Sequence, residues 1–566
     1  MDLSSRGWWG MTALILAVYL SMCQAEQCDP SDKKALLEFR AGFTGWYFDN
    51  WEIDTDCCFW KGITCDNAGR VTILSVYNPF SSQVPVPVAE RNANYTGIVG
   101  ETLGDLTELR TLELRMIMFN GPMPNTLDKL PNLLDIILAY NNFSGSLSPS
   151  IGGATSLWSL SVDGENYWWA SSGLVPTAIP PTFCQLRNLL SLRLTSFSLT
   201  GQIPECFCKF NKMTYLELDG NNLEGKIPSC VGEGMQKLET LSLSVNRLDG
   251  SIPSTLGSLP ALHTLSLSQN QLTGSIPPEI GNIASLQFID VSNNYLSGPI
   301  PAEIGNLTEL GFLDLSSNNL TRIPPELGKL MKIGSIRLSD NQLQGELPPE
   351  IGNAGNQSFG VYLDIANNQL SGSIPDSFGS GSFAYFFAAN NLFTGGFPLT
   401  LTMVGKVDIS DNRLSDVNPV GTLPPAPAIY YLGLRNNVFS GQFPSWLENL
   451  AASVNDLTEV DISVNKLTGP VPASVLKNLW NFNASHNQLD GELPKMRSSS
   501  RIGFLDLSYN NISGPITPNF IDNKLSGTVP PSVEKMVSLQ FLDLSNNSFR
   551  GSVPSKNEIT PSIISS

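Results

Sequence analysis

The side chains that most often carry catalysis are scarce in this 566-residue chain. It holds two histidines, His263 and His486, so a serine–histidine–aspartate site would have to be assembled from distant parts of the sequence. Its 51 Asp and Glu residues are plentiful but regularly placed, which is typical of a solvated surface and not of a tuned acid–base pair. Glycine-rich phosphate loops and kinase motifs are absent from the sequence. We therefore expect no catalytic activity and no cofactor.

The cysteines are the other residues that could do chemistry. Eight of the nine follow an N-terminal leader: Cys28, Cys57, Cys58, Cys65, Cys184, Cys206, Cys208 and Cys230. An even number behind a leader predicts disulfides. Metal binding is the alternative, but neither histidine lies near the cysteines, and we expect no metal site.

The leader is residues 1–25. Arg6 supplies a positive charge, the stretch 11–22 is apolar, and Ala25 ends a plausible cleavage site. A membrane anchor is the alternative, but the apolar run is too short, and no later run is long enough to span a bilayer. Eight glycosylation sequons fit the export route: Asn94, Asn142, Asn306, Asn319, Asn356, Asn483, Asn511 and Asn546.

The net charge of −18 and the isoelectric point near 4.6 make nucleic acid and anionic membranes poor partners. The same charge favours neutral or basic partners.

A repeat of the form Leu-x-x-Leu-x-Leu-x-x-Asn fills residues 70–555. Its signature asparagine recurs every 24 positions at Asn246, Asn270 and Asn294, and about twenty units are present. In Leu-x-Leu the leucines point inward from a short strand and the residue between them points outward. A buried column of asparagines satisfies turn groups that no strand ladder reaches. The chain is therefore predicted to be an α/β solenoid with one parallel sheet along its concave side.

Three columns of residues face outward on the concave strands, six, four and two positions before each asparagine. The first is often aromatic, the second acidic and the third serine. The candidate binding residues are Tyr215, Glu217, Phe288, Asp290, Phe312, Asp314, Arg337, Tyr362, Asp364, Tyr385, Asp408, Tyr431, Arg435 and Asp461. Aromatic rings supply rigid contact area and the acids attract a basic partner. Alternatively, Leu-Asp-Leu-Ser is simply what this strand prefers.

Interruptions of the repeat are further candidates, because insertions often carry specific function. Arg193, Arg337, Lys406 and Arg435 break the acidic or aromatic columns. One unit, between positions 165 and 197, spans 32 residues and contains Tyr167, Trp168 and Trp169. These rings either contact a sugar or a protein, or fold back to cover the irregular coil.

Two segments carry a family resemblance. The Leu-x-Gly-x-Ile-Pro pattern at 272–277 and 296–301 resembles the plant-specific class of leucine-rich repeats. Residues 26–69, with a helical run after Cys28, Trp51 and the stretch from Asp56 to Cys65, look like the N-terminal cap of plant extracellular leucine-rich-repeat proteins. They are similar to polygalacturonase-inhibiting proteins and to receptor-like protein ectodomains. The resemblance implies a right-handed superhelix, a second short strand in each coil, and the disulfides Cys28–Cys57 and Cys58–Cys65.

The other four cysteines are paired here by geometry. Cys184 and Cys208 each lie four residues after a repeat proline, and Cys206 and Cys230 each lie two residues after one. Equivalent positions on adjacent coils are near disulfide distance. We therefore predict Cys184–Cys208 and Cys206–Cys230 as staples between coils.

The C-terminal region is irregular. Only 13 positions separate Asn510 from Asn523, and a polar tail, 556–566, follows the last unit. Either a segment is missing from the gene sequence, or the protein is a natural soluble form. The expected location is extracellular, in the cell wall or apoplast, with attachment to the cell surface if the C-terminus is truncated.

Three functions compete. The first is a receptor-like ectodomain in signalling or defence, whose partner is a peptide or a receptor kinase ectodomain. The second is a soluble inhibitor of a basic wall hydrolase, and the third is a structural or adhesive wall protein. A wall oligosaccharide is a further candidate ligand of the concave face. Peptide-hormone receptors of this fold often carry a paired-arginine motif, and no Arg-x-Arg occurs on these strands.

Overall fold

The computed structural model describes residues 27–43, 48, 50–77, 98–116, 120–163, 175–355, 360–379, 383–416, 422–425, 427–454, 456–491, 502–512 and 541–542. The leader, the insertion with Tyr167, Trp168 and Trp169, and the tail 556–566 lie outside the described residues. So do the sequons Asn94, Asn356 and Asn546 and the side chain of Asn142. The chain divides into two compact units, Met1–Gln271 (unit 1) and Leu272–Ser566 (unit 2).

Unit 1 begins with a cap built on helix α1, Pro30–Ala41. The capping side chain is Asp29, whose carboxylate accepts a hydrogen bond from the Ser31 backbone N–H at 2.8 Å. Pro30 occupies the first helical turn, where its missing N–H costs nothing. The helix buries Leu36 and Phe39, and Trp51 packs beneath them with its ring stacked 5.1 Å from Trp60.

Two disulfides close the cap. Cys28 pairs with Cys57 and Cys58 pairs with Cys65, with Cα–Cα distances of 5.4 and 5.5 Å. This is the pairing that the family resemblance implies. The cap is joined to the first coil by strand β1, Ile63–Cys65, which runs antiparallel to β2, Val71–Tyr77.

The remaining strands of unit 1 alternate between a main sheet and short second sheets. They are β3 Thr111–Arg115, β4 Asn120–Gly121, β5 Asp135–Leu138, β6 Asn142–Phe143, β7 Ser159–Asp163, β8 Thr177–Ala178, β9 Ser191–Thr195, β10 Leu199–Gly201, β11 Tyr215–Glu217, β12 Asn222–Lys226, β13 Thr240–Ser242, β14 Arg247–Asp249 and β15 Thr264–Ser266. Strands β2, β3, β5, β7, β9, β11, β13 and β15 pair in parallel as the main sheet, whereas β4–β6 and β8–β10–β12–β14 form the second sheets.

Unit 2 repeats this arrangement. Its strands are β16 Thr273–Gly274, β17 Phe288–Asp290, β18 Tyr295–Pro299, β19 Phe312–Asp314, β20 Asn319–Arg322, β21 Ser335–Arg337, β22 Gln344–Glu346, β23 Val361–Asp364, β24 Gln369–Gly372, β25 Phe383–Phe387, β26 Leu392–Phe393, β27 Lys406–Asp408, β28 Tyr431–Gly433, β29 Ser440–Gln442, β30 Glu459–Asp461, β31 Lys466–Gly469, β32 Asn481–Asn483, β33 Gln488–Leu489, β34 Phe504–Asp506 and β35 Phe541–Leu542. Its main sheet is β17–β19–β21–β23–β25–β27–β28–β30–β32–β34–β35, and its second sheets are β16–β18–β20, β22–β24–β26 and β29–β31–β33.

Most coils return through one short helix. Two of these are α-helical, α2 Val231–Gly234 and α3 Ser445–Ser453. The 3₁₀ turns are Cys57–Phe59 in the cap, then Glu101–Asp105, Leu127–Lys129, Pro149–Gly153, Pro181–Gln185, Glu205–Lys209, Ser254–Ser258, Pro278–Asn282, Ala302–Asn306, Pro325–Lys329, Pro349–Asn353, Asp376–Gly379, Leu399–Met403 and Val475–Lys477. Each usually follows the repeat proline, whose fixed φ starts the turn.

The asparagine column lies where the repeat pattern predicts. In unit 1, Asn246 Oδ1 accepts from the Leu223 N–H of the preceding coil at 3.0 Å. Its Nδ2 donates to the carbonyl of Leu218 in that coil at 2.9 Å and to that of Leu243 in its own coil at 3.1 Å. Asn318, Asn341 and Asn465 repeat the bonds in unit 2. The side chains thus satisfy buried turn groups and tie each coil to the one before it.

The inter-coil staples differ from the prediction. Cys184 pairs with Cys206 and Cys208 pairs with Cys230, each with a Cα–Cα distance of 5.6 Å. The predicted pairs Cys184–Cys208 and Cys206–Cys230 are therefore wrong. Residues two apart in a 3₁₀ turn are rotated by about 120° from each other, so the side chains of Cys206 and Cys208 point in different directions. Cys206 faces the preceding coil and Cys208 faces the following one.

The other coils explain this offset. The residue four positions after the repeat proline is often glycine, and it touches the residue two positions after the next repeat proline. A Cβ added at Gly281 would lie 2.5 Å from the Glu303 Cβ, and one at Gly352 would lie 2.6 Å from the Ser377 Cβ. The two inter-coil disulfides join this same pair of positions. The recurring glycine at the first position therefore indicated which cysteines meet.

Peptide mapping checks the pairing. Trypsin alone leaves Cys206 and Cys208 on one peptide, so the digest needs a second, chymotryptic cut after Phe207. Under non-reducing conditions we expect the Cys206 fragment to carry the Cys184 peptide and the Cys208 fragment to carry the Cys230 peptide. A Cys208 fragment linked to the Cys184 peptide, and a Cys206 fragment linked to the Cys230 peptide, would contradict the structure.

Candidate recognition surface

The outward side of the unit 2 main sheet carries a row of rings. We call the side chains of Phe288, Phe312, Tyr362, Tyr385, Phe387 and Tyr431 the aromatic strip. They stand on five of the seven neighbouring strands from β17 to β28, and β21 and β27 interrupt the row. The residue that follows each ring in the chain is buried, so the rings are fixed on a rigid support; these residues are Ile289, Leu313, Leu363, Phe386, Ala388 and Leu432.

The rings contact one another. Phe288 and Phe312 stack in parallel, with centroids 4.6 Å apart and planes 5° from each other. Tyr362, Tyr385 and Phe387 form a three-ring cluster, in which Tyr362 lies 5.7 Å from Tyr385 and 5.4 Å from Phe387. Such geometries are favourable for aromatic pairs and keep the rings in place without a ligand.

Two cations fill the gaps between the rings. The small Ser335 stands where the first column would have a ring, and the Arg337 guanidinium reaches over this gap. Its Cζ lies 5.4 Å from the Phe312 centroid and 5.2 Å from that of Tyr362. Lys406 Nζ lies 4.4 Å from the Tyr431 centroid and 5.8 Å from that of Phe387. All four distances are within the range of cation–π interactions.

The acidic column has a local structural role. The Asp290 carboxylate accepts hydrogen bonds from the backbone N–H and the hydroxyl of Ser292 at 3.0 and 2.7 Å, and Asp461 does the same with Ser463 at 2.8 and 2.6 Å. Asp364 and Asp408 likewise accept from the N–H two residues on. These bonds close the end of each strand, which favours the interpretation that the Asp and Ser columns reflect strand chemistry.

Burial changes the ionisation of these groups. It raises the pKa of Asp364 and of Asp461 above the ordinary carboxyl value. Hydrogen bonds from backbone N–H groups lower these pKa values, but the effect of burial is larger. Burial, with the nearby carboxylates of Asp408, Asp461 and Glu459, also raises the pKa of Tyr431 to about 12. Tyr431 therefore stays a neutral phenol at every physiological pH.

A substitution at Asp461 tests this account. Because folding raises its pKa, the stability tied to its protonated form is present at low pH and is lost as pH rises through the raised pKa. Asp461→Asn keeps the acceptor without the charge, as Asn483 does naturally on β32, with Oδ1 accepting from the Ser485 N–H at 3.1 Å. We expect thermal unfolding at pH 7.5 at or above the wild-type temperature, a gain below about 1 kcal/mol for this half-buried group.

The gain from Asp461→Asn should shrink at pH 4, where the wild-type acid is closer to neutral. Asp461→Ala, which has no acceptor for Ser463, is the control and should unfold earlier at both pH values. An Asn variant that is clearly less stable than wild type at pH 7.5 would contradict the assigned cost of burying the charge.

The unit 1 candidates are engaged with each other. Arg193 makes a two-pronged ion pair with Glu217, with N–O distances of 2.7 and 2.8 Å. The Tyr215 hydroxyl donates to Glu239 at 2.9 Å. These candidates remain predictions as binding residues, and they do not lie in a ring–cation row of the kind seen in unit 2.

The remaining candidate, Arg435, is exposed, and its Nη1 donates to the Ser463 hydroxyl at 3.2 Å. Sequence reasoning missed Phe387, a ring in the acidic column, and the gap at Ser335. It identified Arg337 and Lys406 as interruptions of the columns, but it did not predict that they stack on aromatic rings. The sequence did contain a signal for both: an aromatic residue replaces the usual acid at Phe387, and a small residue replaces the usual ring at Ser335.

Among the described residues, one group could in principle hold a metal ion. The sulfur atoms of Cys28, Cys57 and Cys58 and a carboxylate oxygen of Asp56 lie within 4.8 Å of one another. All three cysteines are in disulfides, so they offer no thiolate to a metal. Within the described ranges, no helix combines the length and the apolar character needed to cross a bilayer.

Comparison with known proteins agrees with this architecture. Residues 29–66 match the leucine rich repeat N-terminal domain family, and residues 234–296, 309–330, 332–354, 361–380 and 538–558 match leucine rich repeat families. The solved structure of the plant peptide hormone receptor RGFR1 in complex with RGF2 is 30% identical, with a TM-score of 0.74 over 88% of this chain and 81% of that one. The chain belongs to the plant extracellular leucine-rich-repeat proteins.

Curated relatives of this leucine-rich-repeat protein cover shorter stretches. Polygalacturonase inhibitor from Pyrus communis is 31% identical over 143 residues, 25% of this chain and 39% of that protein. Receptor-like protein 35 from Arabidopsis thaliana is 29% identical over 242 residues, 36% of this chain and 23% of that protein. The chain thus spans well under two thirds of the length of either.

Proposed function

We propose that this leucine-rich-repeat protein is a receptor-like recognition protein that acts outside the cell, binds a peptide or protein on its aromatic strip, and performs no catalysis. The observation that carries the proposal is the row of rings and stacked cations from Phe288 to Tyr431. Aromatic and arginine side chains on a rigid support are the residues that dominate binding energy at protein interfaces.

Two relatives support this proposal. RGFR1 was solved with RGF2 bound, and receptor-like protein 35 is a receptor-like protein by name. The leader sequence supports export, and a location at the cell surface, in the wall or in the apoplast follows from it. A receptor kinase ectodomain is the second partner that we propose.

The second candidate function is inhibition of a wall hydrolase. It is favoured by the similarity to polygalacturonase inhibitor and by the net charge of −18, which would attract a basic enzyme. Binding of wall oligosaccharide by a structural protein is the third, and no contact on the described surface favours it over the other two.

A binding screen with the glycosylated, secreted chain separates these functions. The probes are a random peptide library, receptor kinase ectodomains, fungal wall hydrolases and oligogalacturonides. Selection of peptides or of a kinase ectodomain supports the receptor-like function. Dose-dependent loss of hydrolase activity supports the inhibitor function and contradicts the first, and binding to oligogalacturonides alone contradicts both.

A further inference from the structure

The two stacked cations frame the three-ring cluster on both sides. Arg337 stacks on Tyr362 at one edge, Lys406 stacks on Phe387 at the other edge, and Tyr385 lies between them. A ligand that lies across this part of the sheet meets a positive charge, an apolar surface and a second positive charge in that order.

Arg337 is more accessible than the acid beside it. The Arg337 side chain is 45% exposed, whereas that of Asp314, with which it shares an N–O distance of 3.6 Å, is 10% exposed. Asp314 also accepts from the N–H and the hydroxyl of Ser316, at 3.0 and 2.6 Å. The Asp314 carboxylate is thus held at the sheet, and the guanidinium is the group that a ligand reaches first. The charge that a ligand meets at this point is therefore opposite in sign to the net charge of −18.

A second donor lies next to Arg337. Ser335 is two residues earlier on β21, so both side chains are on the same face of the sheet. Its hydroxyl is buried and has no hydrogen-bond partner within the described part of the chain. A buried hydroxyl without a partner is costly, so a ligand oxygen that reaches it gains a hydrogen bond.

The spacing of the two cations fits an extended peptide. Lys406 on β27 is in register with Ser335 on β21, and Arg337 lies two residues further along β21. The Arg337 guanidinium nevertheless stacks on Phe312 and Tyr362, the rings in register with Ser335. The two charges are therefore about three strand steps apart, through β23 and β25, or about 14 Å across the sheet. An extended peptide advances about 3.3 Å per residue, so roughly four residues cover this distance. Residues i, i+2 and i+4 of such a peptide share one face.

We propose that the aromatic strip binds an extended acidic peptide with two carboxylate side chains four residues apart and an apolar side chain midway between them. The first carboxylate meets Arg337 and the Ser335 hydroxyl, the apolar side chain rests on the three-ring cluster, and the second carboxylate meets Lys406. This inference rests on the proposed recognition function and gives its ligand a charge pattern.

The physical basis is preorganisation. Arg337 and Lys406 are already ordered by the rings, so little side-chain freedom is lost when a carboxylate binds. Charge-assisted hydrogen bonds to a carboxylate are stronger than neutral ones, and the two-site spacing selects the register of the peptide.

Synthetic peptides test the inference on the full secreted chain. One fluorescent peptide carries Glu, Leu and Glu at alternate positions in a Gly-Ser background. A second carries Lys in place of both Glu residues, and a third sets the Glu residues three apart. We expect the first peptide to bind at least tenfold more tightly than either of the others, and to weaken as salt is raised.

Matched variants assign the contacts. Arg337→Gln and Lys406→Gln should each weaken the first peptide about fivefold or more. Arg413→Gln and Lys466→Gln, exposed positions outside the main sheet, should leave it within twofold. Tight binding of the Lys peptide, no measurable binding of the Glu peptide, or binding that is indifferent to Arg337 and Lys406 overturns the inference.

The same experiment separates this inference from the proposed function. If the Lys peptide binds and Tyr385→Ala abolishes that binding, the strip is a recognition surface with the opposite charge preference. If the binding of every peptide is unaffected by Tyr385→Ala, the strip is not the surface used, and the proposed function loses its site.

Discussion

Replacing Asn341 by alanine should destabilise unit 2 by about 3–5 kcal/mol. The Asn341 Oδ1 accepts from the Leu320 N–H at 2.9 Å, and its Nδ2 donates to the carbonyls of Leu315, Leu338 and Ser339 at 3.0, 3.2 and 3.1 Å. The side chain is nearly buried, so alanine leaves the Leu320 N–H without its acceptor and opens a gap that apolar neighbours do not fill. Each of the three carbonyls loses one of its donors and keeps another, from Asn318, Asn368 or the Ser317 N–H. Since neighbouring coils hold each other, the loss should spread along the stack.

Chemical denaturation and hydrogen exchange measure this effect. The midpoint should fall, and the Leu320 amide should exchange faster in Asn341→Ala. The control is Gln342→Ala at the next position, where the exposed amide donates only to Asn319 at 3.2 Å and the change should stay within about 0.5 kcal/mol. Equal denaturation midpoints for the two variants would show that the asparagine column does not stabilise the contact between coils.

Asp32→Ala should loosen the cap by about 2–4 kcal/mol. Asp32 is fully buried and accepts from Arg70 Nε and Nη2, both at 3.0 Å, and from the Val71 N–H at 2.8 Å. Its removal leaves a partly exposed guanidinium without its main partner and a strand N–H unsatisfied. The expected cost lies below that of a fully buried pair because the Arg70 side chain is 25% exposed.

Limited proteolysis and hydrogen exchange over residues 27–77 follow the cap directly, since both of its disulfides remain in the variant. Lys34→Ala is the matched control, because its pair with Glu38 is 3.9 Å long and exposed. A cap that is equally protected in the Asp32 and Lys34 variants would mean that the disulfides and the Trp51–Trp60 stack hold it alone.

Much of the fold could be predicted from the repeat. Leu216 and Leu241 are buried and Asn246 bridges coils as expected, because each position recurs many times and has one physical purpose. The staples could not be placed in this way. Equal sequence positions were assumed to stack, whereas Cys184 and Cys206 meet because the 3₁₀ turns of adjacent coils are offset.

The site was only partly predictable for a related reason. A column pattern shows which face a side chain starts from, so Phe312 and Tyr362 were found. It does not show where a long side chain ends, and Arg337 reaches from the acidic column across the gap at Ser335 to stack on both rings. The sequence left the acidic column open between attraction of a partner and a preference of the strand. The bonds of Asp290 and Asp461 at the ends of their own strands favour the second.

The aromatic strip is the recognition surface that we propose for this protein. The most direct measurement is the affinity of a ligand recovered in the binding screen for wild type and for the double variant Tyr362→Ala with Tyr385→Ala. The control is Tyr295→Ala, an exposed tyrosine on β18 in the second sheet. We predict at least a tenfold loss for the double variant and less than a twofold change for the control. An unchanged affinity in a correctly folded double variant would contradict the account.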